Sequence, residues 1–223
     1  MMQIDLRVLE LLSSKLCHDL ISPVSAINNG VELIEDIGGD VVGEAMKLIG
    51  SSAVQASRRL KLFRVAYGRA GSEENLPVKD VRQIVEQYFM GSKITAQWPD
   101  EVQIASFVER RGSLKALINM FVMAEEILAY GGSITLKRLE ADDKTGCCLE
   151  IVGRSATLAE ASQAAMRGEG PVEDLTPRTI QSYITGRFAA HFGFHIETTQ
   201  VREDCSHLSL SGEVIEYDHH QDE

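Results

Sequence analysis

One stretch of this 223-residue chain carries residue types able to move a proton or a phosphoryl group: LCHDLISPVSAINNG, from Leu16 to Gly30. Imidazole is both a nucleophile and a base near neutral pH. Directly after His18 stands Asp19, whose carboxylate can orient or deprotonate the ring. If the segment is a helix turning about 100° per residue, Leu9, Leu16, Leu20, Ile27, Val31 and Ile34 form one apolar stripe with His18 on the opposite side. Ser22, Ser25 and Asn29 follow the histidine at spacings of four, three and four, so they share its outward strip. Pro23 can kink the helix and free a carbonyl of the preceding turn. The pattern predicts an imidazole within reach of another macromolecule; the competing reading is a solvated histidine with no task. A Cys17–His18 thiol catalyst is excluded, since adjacent helical side chains point about 100° apart.

The elements that must position this strip read as a helical hairpin. Ile4 to Ile37 is one long helix, stopped by Gly38-Gly39-Asp40. Val42, Ala45, Met46, Ile49, Ala53, Ala56, Leu60, Phe63 and Tyr67 then make a second apolar stripe at helical phase, ending near Gly68. So short a link forces the two helices antiparallel. One pair cannot cover both stripes, which predicts a homodimer closing a four-helix bundle. From Val54 through Ser72 the chain carries Arg58, Arg59, Lys61, Arg64 and Arg69 and no acid. Antiparallel pairing brings the run from Arg58 to Arg64 level with His18, as a surface for an acidic partner. Its alternative is an ordinary solvated basic face.

Gly71 to Leu76 is a polar linker. Beyond it the pattern predicts a helix over Pro77 to Phe89, strands over Lys93 to Trp98 and Val102 to Val108, and an apolar helix over Ser113 to Tyr130. Strands over Ser133 to Leu139 and Cys147 to Val152 flank a turn at Asp142 to Gly146. Helices over Thr157 to Arg167 and Pro177 to Phe192 precede strands over Ile196 to Val201 and Leu208 to Val214. The fold class is therefore an α hairpin followed by an α/β sandwich with helices on one face of a mixed sheet. Domains are expected at 1–71 and 76–217, with an acidic tail at 218–223.

Composition narrows the partners. At 44% hydrophobic and 25% charged, the chain can bury real cores. It shows no long apolar run and no leader, so no membrane span is expected and a cytoplasmic protein is. A net charge of −11 argues against nucleic acid. Four cysteines without a C-x-x-C pair read as reduced, packed thiols, and His219 and His220 as part of a solvated tail.

His-Asp-Leu-x-x-Pro at 18–23, followed by Val24, Ala26, Ile27 and Asn29-Gly30, resembles the histidine box of two-component sensor kinases. The whole chain resembles the bacterial ChpT-type histidine phosphotransferases, which join this hairpin to a kinase-like domain that has lost its ATP site. The second half agrees with that. ALINMFVMAEEILAYGGSITL stands where the kinases carry their asparagine box, and FAAHFGFHIETT where they have a terminal helix and glycine turn. Asn119 keeps the first asparagine, but Met123 replaces the one that chelates magnesium, and a thioether is a poor Mg²⁺ ligand. Gly153-Arg154-Ser155-Ala156 stands where an aspartate and G-x-G should read adenine. In place of a phosphate-covering loop there is Gly168-Glu169-Gly170, whose glutamate repels phosphate.

The resemblance implies a phosphorelay. His18 would take a phosphoryl group from the phosphoaspartate of one response-regulator receiver domain and pass it to another, with Asp19 stabilising the ring and with no ATP-dependent autophosphorylation. Ser22, Ser25, Ala26, Asn29, Arg58, Arg59 and Arg64 would contact the receiver, Ser22 as a spectator or a weak water-positioning group. No cofactor is expected on this chain, Mg²⁺ being held by the receiver's own acids. The alternatives are an ATP-dependent sensor kinase core and a non-catalytic receiver-binding adaptor.

Overall fold

The computed structural model describes residues 5–69, 76–99, 104–139 and 144–213. Helix α1 runs Leu6–Asp36 and α2 runs Val42–Ala66. Asp5 caps the first, its carboxylate accepting from the Arg7 N–H at 2.8 Å. The chain then reverses through Gly38 and Gly39, at φ 60° and 58°, values that a side chain resists. The two helices lie side by side as an antiparallel pair, in close contact at Gly30, where an added Cβ would come within 2.6 Å of Ile49. Helix α1 continues through Pro23, whose ring is buried. Lacking an N–H, Pro23 gives the Asp19 carbonyl no helical bond.

After α2 come α3 (Val78–Phe89), β1 (Ile94–Gln97), a helical turn α4 (Ala105–Val108) and α5 (Ser113–Ile127). Then follow β2 (Gly132–Arg138), β3 (Lys144–Val152), α6 (Glu160–Arg167), α7 (Ile180–His191), β4 (His195–Arg202) and β5 (Cys205–Glu213). The sheet has the order β1-β2-β3-β5-β4; β1 and β2 are parallel and every other pair is antiparallel. Ile134, Leu136, Leu149, Ile151, Leu208 and Leu210 alternate onto the helix-covered face, while Lys137, Glu150 and His207 share the other.

Two expectations are corrected. Residues 105–108 are a helical turn where a strand was expected, Phe107 turning inward to meet Phe194 at 5.3 Å between centroids. Residues 144–146 are already strand β3, paired with Glu213, Gly212 and Ser211 of β5, where a turn was expected. Leu9, Val31, Met46 and Leu60 are exposed, in line with stripes that one pair of helices cannot cover. The expected boundary at 71–76 falls almost wholly outside the described residues, as do residues 142–143 of the expected turn and the 218–223 tail.

The hairpin and the α/β part share one core. Leu62, Val65 and Ala66, all fully buried at the end of α2, pack in the same cluster as Val81, Phe121 and Leu136. A second, smaller cluster sets Leu11 of α1 among Ala165, Leu175, Ile180 and Ile184. Leu11 is buried although it lies off the predicted stripe, because α7 covers a face of α1 that α2 does not reach. Among the described residues no helix is long and apolar enough to cross a membrane. Cys17 is exposed and Cys147, Cys148 and Cys205 are buried, all as free thiols.

Candidate functional site

Helix α1 presents His18 as the phase of its sequence predicts. The His18 side chain is 90% exposed, and its Nδ1 lies 3.5 Å from Asp19 Oδ1. The nitrogen beside the carboxylate is thus Nδ1, and Nε2 is the ring nitrogen away from it. Ser22, Ser25 and Asn29 are exposed along the same strip, whereas Ala26 is half-buried toward α2.

Asp19 is less exposed than the ring it serves, at 21%. Its second oxygen, Oδ2, lies 3.9 Å from Lys15 Nζ, one turn earlier, and 4.0 Å from the Arg59 guanidinium on α2. Lys15 in turn donates to Glu126 Oε1 at 2.8 Å. Three carboxylates, Asp19, Glu125 and Glu126, therefore gather around Lys15 and Arg59. Burial pulls the Lys15 ammonium down, but Glu126, Asp19 and Glu125 more than offset this and hold it above its ordinary value. Burial raises the Glu126 carboxyl, and its acidic neighbours Glu125 and Asp19 add to that against the pull of Lys15.

The basic run on α2 divides. Arg59 also lies over the Tyr88 ring of α3 at 5.6 Å, so it faces the seam between the two parts of the molecule. Arg58 reaches the Met90 carbonyl at 3.4 Å and the Met90 sulfur at 3.2 Å. Arg64 is exposed in the last turn of α2. The expected level match between this run and His18 holds, but two of its arginines contact the second part of the chain.

The residues of α5 that resemble a kinase asparagine box make structural contacts. Asn119, on α5, is wholly buried; its amide donates to the Ala66 carbonyl at 2.8 Å and the Lys115 carbonyl at 2.9 Å, and its Oδ1 accepts from Gln181 at 3.1 Å. Gln181 accepts from the Tyr67 hydroxyl at 2.6 Å. Lys115 donates to the Gly68 carbonyl at 2.6 Å. These bonds tie the end of α2 to α5 and α7. Met123 is also fully buried. Gly168 is the left-handed cap of α6, and Glu169 pairs with Arg167 at 2.7 Å. An open cavity of about 400 Å³ beside α5 has Glu126, Ser162 and Arg178 on its walls.

The sequence missed Lys15, Tyr88, Glu125 and Glu126. Only the Lys15-x-x-x-Asp19 spacing, an i,i+4 pair on one helix, was there to be read. The α5 glutamates join the site through a packing that no local pattern encodes.

The family model described as the histidine phosphotransferase C-terminal domain matches residues 78–204. Protein phosphotransferase ChpT of Brucella abortus (strain 2308) is 33% identical over 195 residues, covering 87% of this chain and 90% of that protein. A solved structure of a bacterial phosphotransferase superposes with a TM-score of 0.74 at 28% identity, covering 94% of this chain and 98% of its own. The chain belongs to the ChpT-type histidine phosphotransferase family.

Proposed function

We propose that the protein is a phosphorelay intermediate in which His18 shuttles a phosphoryl group between the phosphoaspartates of two response-regulator receiver domains. The observation that carries this reading is the exposed His18 ring with Nδ1 turned to Asp19 and Nε2 left outward. Nε2 attacks phosphorus in line, the bond from phosphorus to the receiver's carboxylate breaks, and Asp19 stabilises the positive charge that appears on the ring. Transfer to a second receiver reverses these steps.

Ser22, Ser25, Ala26 and Asn29 form the receiver-binding strip on α1, with Arg58 and Arg64 beside it on α2. Arg59 supports it from behind by holding Asp19. Mg²⁺ belongs to the receiver's own acidic residues. The working form is a homodimer. Leu6, Val24 and Val31 share one side of α1 and Met46 and Leu60 one side of α2, all exposed in a single chain, which supports closure of a four-helix bundle by a second copy. ATP-dependent autophosphorylation is not part of the function. The buried Asn119, committed to Ala66 and Gln181, and the buried Met123 support this.

The test is incubation with a phosphorylated receiver, following label onto this chain. Wild type should take the label and return it to fresh receiver, and His18→Ala should take none. Label on His18→Ala, or signalling unaffected by that change, would leave only an adaptor. Label acquired directly from ATP would restore the kinase reading.

A further inference from the structure

At the end of α5 an acidic pair of the α/β part reaches the neighbourhood of His18. Glu126 accepts from Lys15 at 2.8 Å, and Lys15 lies 3.9 Å from Asp19 Oδ2. Glu125 accepts from the Tyr88 hydroxyl at 2.5 Å, and the Tyr88 ring lies under Arg59, whose guanidinium is 4.0 Å from the same Oδ2. Both cations beside Asp19 are therefore held on their far side by α3 or α5. Oδ1 is left for His18 Nδ1.

Binding the two parts together does not require this arrangement. The seam is already closed by Leu62, Val65 and Ala66 and by the bonds of Asn119 and Lys115. Partly burying three carboxylates with two cations is a poor way to add stability, because apolar residues of similar size would usually serve as well or better. The charges gather on the one carboxylate that faces the phosphoacceptor.

We propose that the second domain, free of nucleotide duty, positions Asp19 for phosphotransfer through Glu126–Lys15 and Glu125–Tyr88–Arg59. This rests on His18 being the phosphoacceptor. Glu126 draws Lys15 away from Asp19, so that the carboxylate keeps Oδ1 on the Nδ1–H of His18 and fixes the ring tautomer. During transfer the Nε2 lone pair forms the bond to phosphorus, the electron pair of the broken P–O bond returns to the receiver's aspartate, and the proton stays on Nδ1 facing Asp19. Without Glu126, Lys15 closes on Asp19 and competes with the ring. Glu126, Lys15 and Tyr88 are positioning residues; none touches the phosphoryl group.

The experiment is a double-mutant cycle on the dimeric full chain, reading transfer from a phosphorylated receiver at saturating concentration and the His18 tautomer by ¹⁵N NMR. Glu126→Gln should slow transfer about fivefold, the coupling expected of one partner in a shared network, with the KM for receiver unchanged. It should also lower the population of Nδ1–H tautomer. In an Asp19→Asn background the same change should have no further effect. Tyr88→Phe, which keeps the ring under Arg59 but frees Glu125, should give a smaller slowing that also disappears with Asp19→Asn. Equal slowing by Glu126→Gln with and without Asp19, or an unchanged rate and tautomer, would overturn the proposal. Label on His18→Ala would instead remove the phosphoacceptor on which it rests.

Discussion

The side-chain amide of Asn119 donates to the main-chain carbonyl of Ala66 at 2.8 Å, joining α5 of the sheet domain to the last turn of the hairpin. This asparagine is a bolt between the two parts of the protein. Its other contacts, to Lys115 and Gln181, leave it no group to spare. Removing it exposes the cost of unpaired polar groups within a closed seam. Asn119→Ala should lower stability by about 2–3 kcal/mol, since the Ala66 carbonyl and the Gln181 amide lose a buried partner. Urea unfolding at equilibrium checks this; a change within about 0.5 kcal/mol, the size of a surface substitution, would show the bolt to be idle.

Gly186 offers a second test of the packing on which the site depends. A Cβ at this position of α7 would stand 1.8 Å from the Met166 carbonyl on α6, and a main-chain atom cannot move aside as a side-chain tip can. Gly186→Ala should destabilise the protein by about 3 kcal/mol or more despite alanine's better helix propensity. Thermal unfolding followed by circular dichroism would read the drop, and a neutral result would show that α6 and α7 can separate at this point at no cost.

Leu60 is 54% exposed on α2 and contributes little to the fold of one chain. In the proposed dimer it is covered. Leu60→Glu should therefore leave monomer unfolding within about 0.5 kcal/mol of wild type while shifting the sedimentation equilibrium toward monomer. If the dimer persists at the same concentration, the bundle does not close through this side of α2.

Alkaline pH should weaken the fold in a defined way. Burial pushes the Cys147 thiol up. Burial also raises the Tyr67 and Tyr88 phenols, with the nearby carboxylates Glu126 and Glu125 adding to the rise. Unfolded, a thiol loses its proton near about 8.5 and a phenol near about 10. Stability from keeping these groups neutral is complete below those values and is lost as pH climbs toward the raised folded ones. Each group then removes about 1.4 kcal/mol per pH unit. Melting temperature should fall from about pH 9 and more steeply above about pH 10. Burial raises the Cys148 thiol as well, so replacing Cys147 and Cys148 together by alanine should delay the onset toward about pH 10, and Tyr88→Phe should flatten the later slope. An onset unchanged by the double replacement would show that the thiols are not the first groups lost.

The reactive strip and the hairpin were legible before any coordinates. His18, Ser22, Ser25 and Asn29 repeat at a spacing that only a helix turns into a row, and two glycines after Ile37 permit only a sharp reversal. Both are local properties: helical phase and backbone freedom belong to the residues themselves. The strands and helices of the second domain were likewise readable from alternation and apolar period, except at 105–108, where a stretch too short to show a period was taken for a strand.

Tertiary structure decided the rest. Nothing in the sequence near Asp19 announces that Glu126, more than a hundred residues later, holds Lys15 beside it, or that Arg59 turns inward to Tyr88. Nor could the composition of α5 say that Asn119 would be spent on Ala66. Charge pairs and buried hydrogen bonds between distant segments carry no periodic signature, because they are fixed by which faces meet once α2, α5 and α7 have packed into a common core. The sequence alone determined that an imidazole would stand outward on a helix with a carboxylate beside it; the packing determined which distant charges surround that carboxylate.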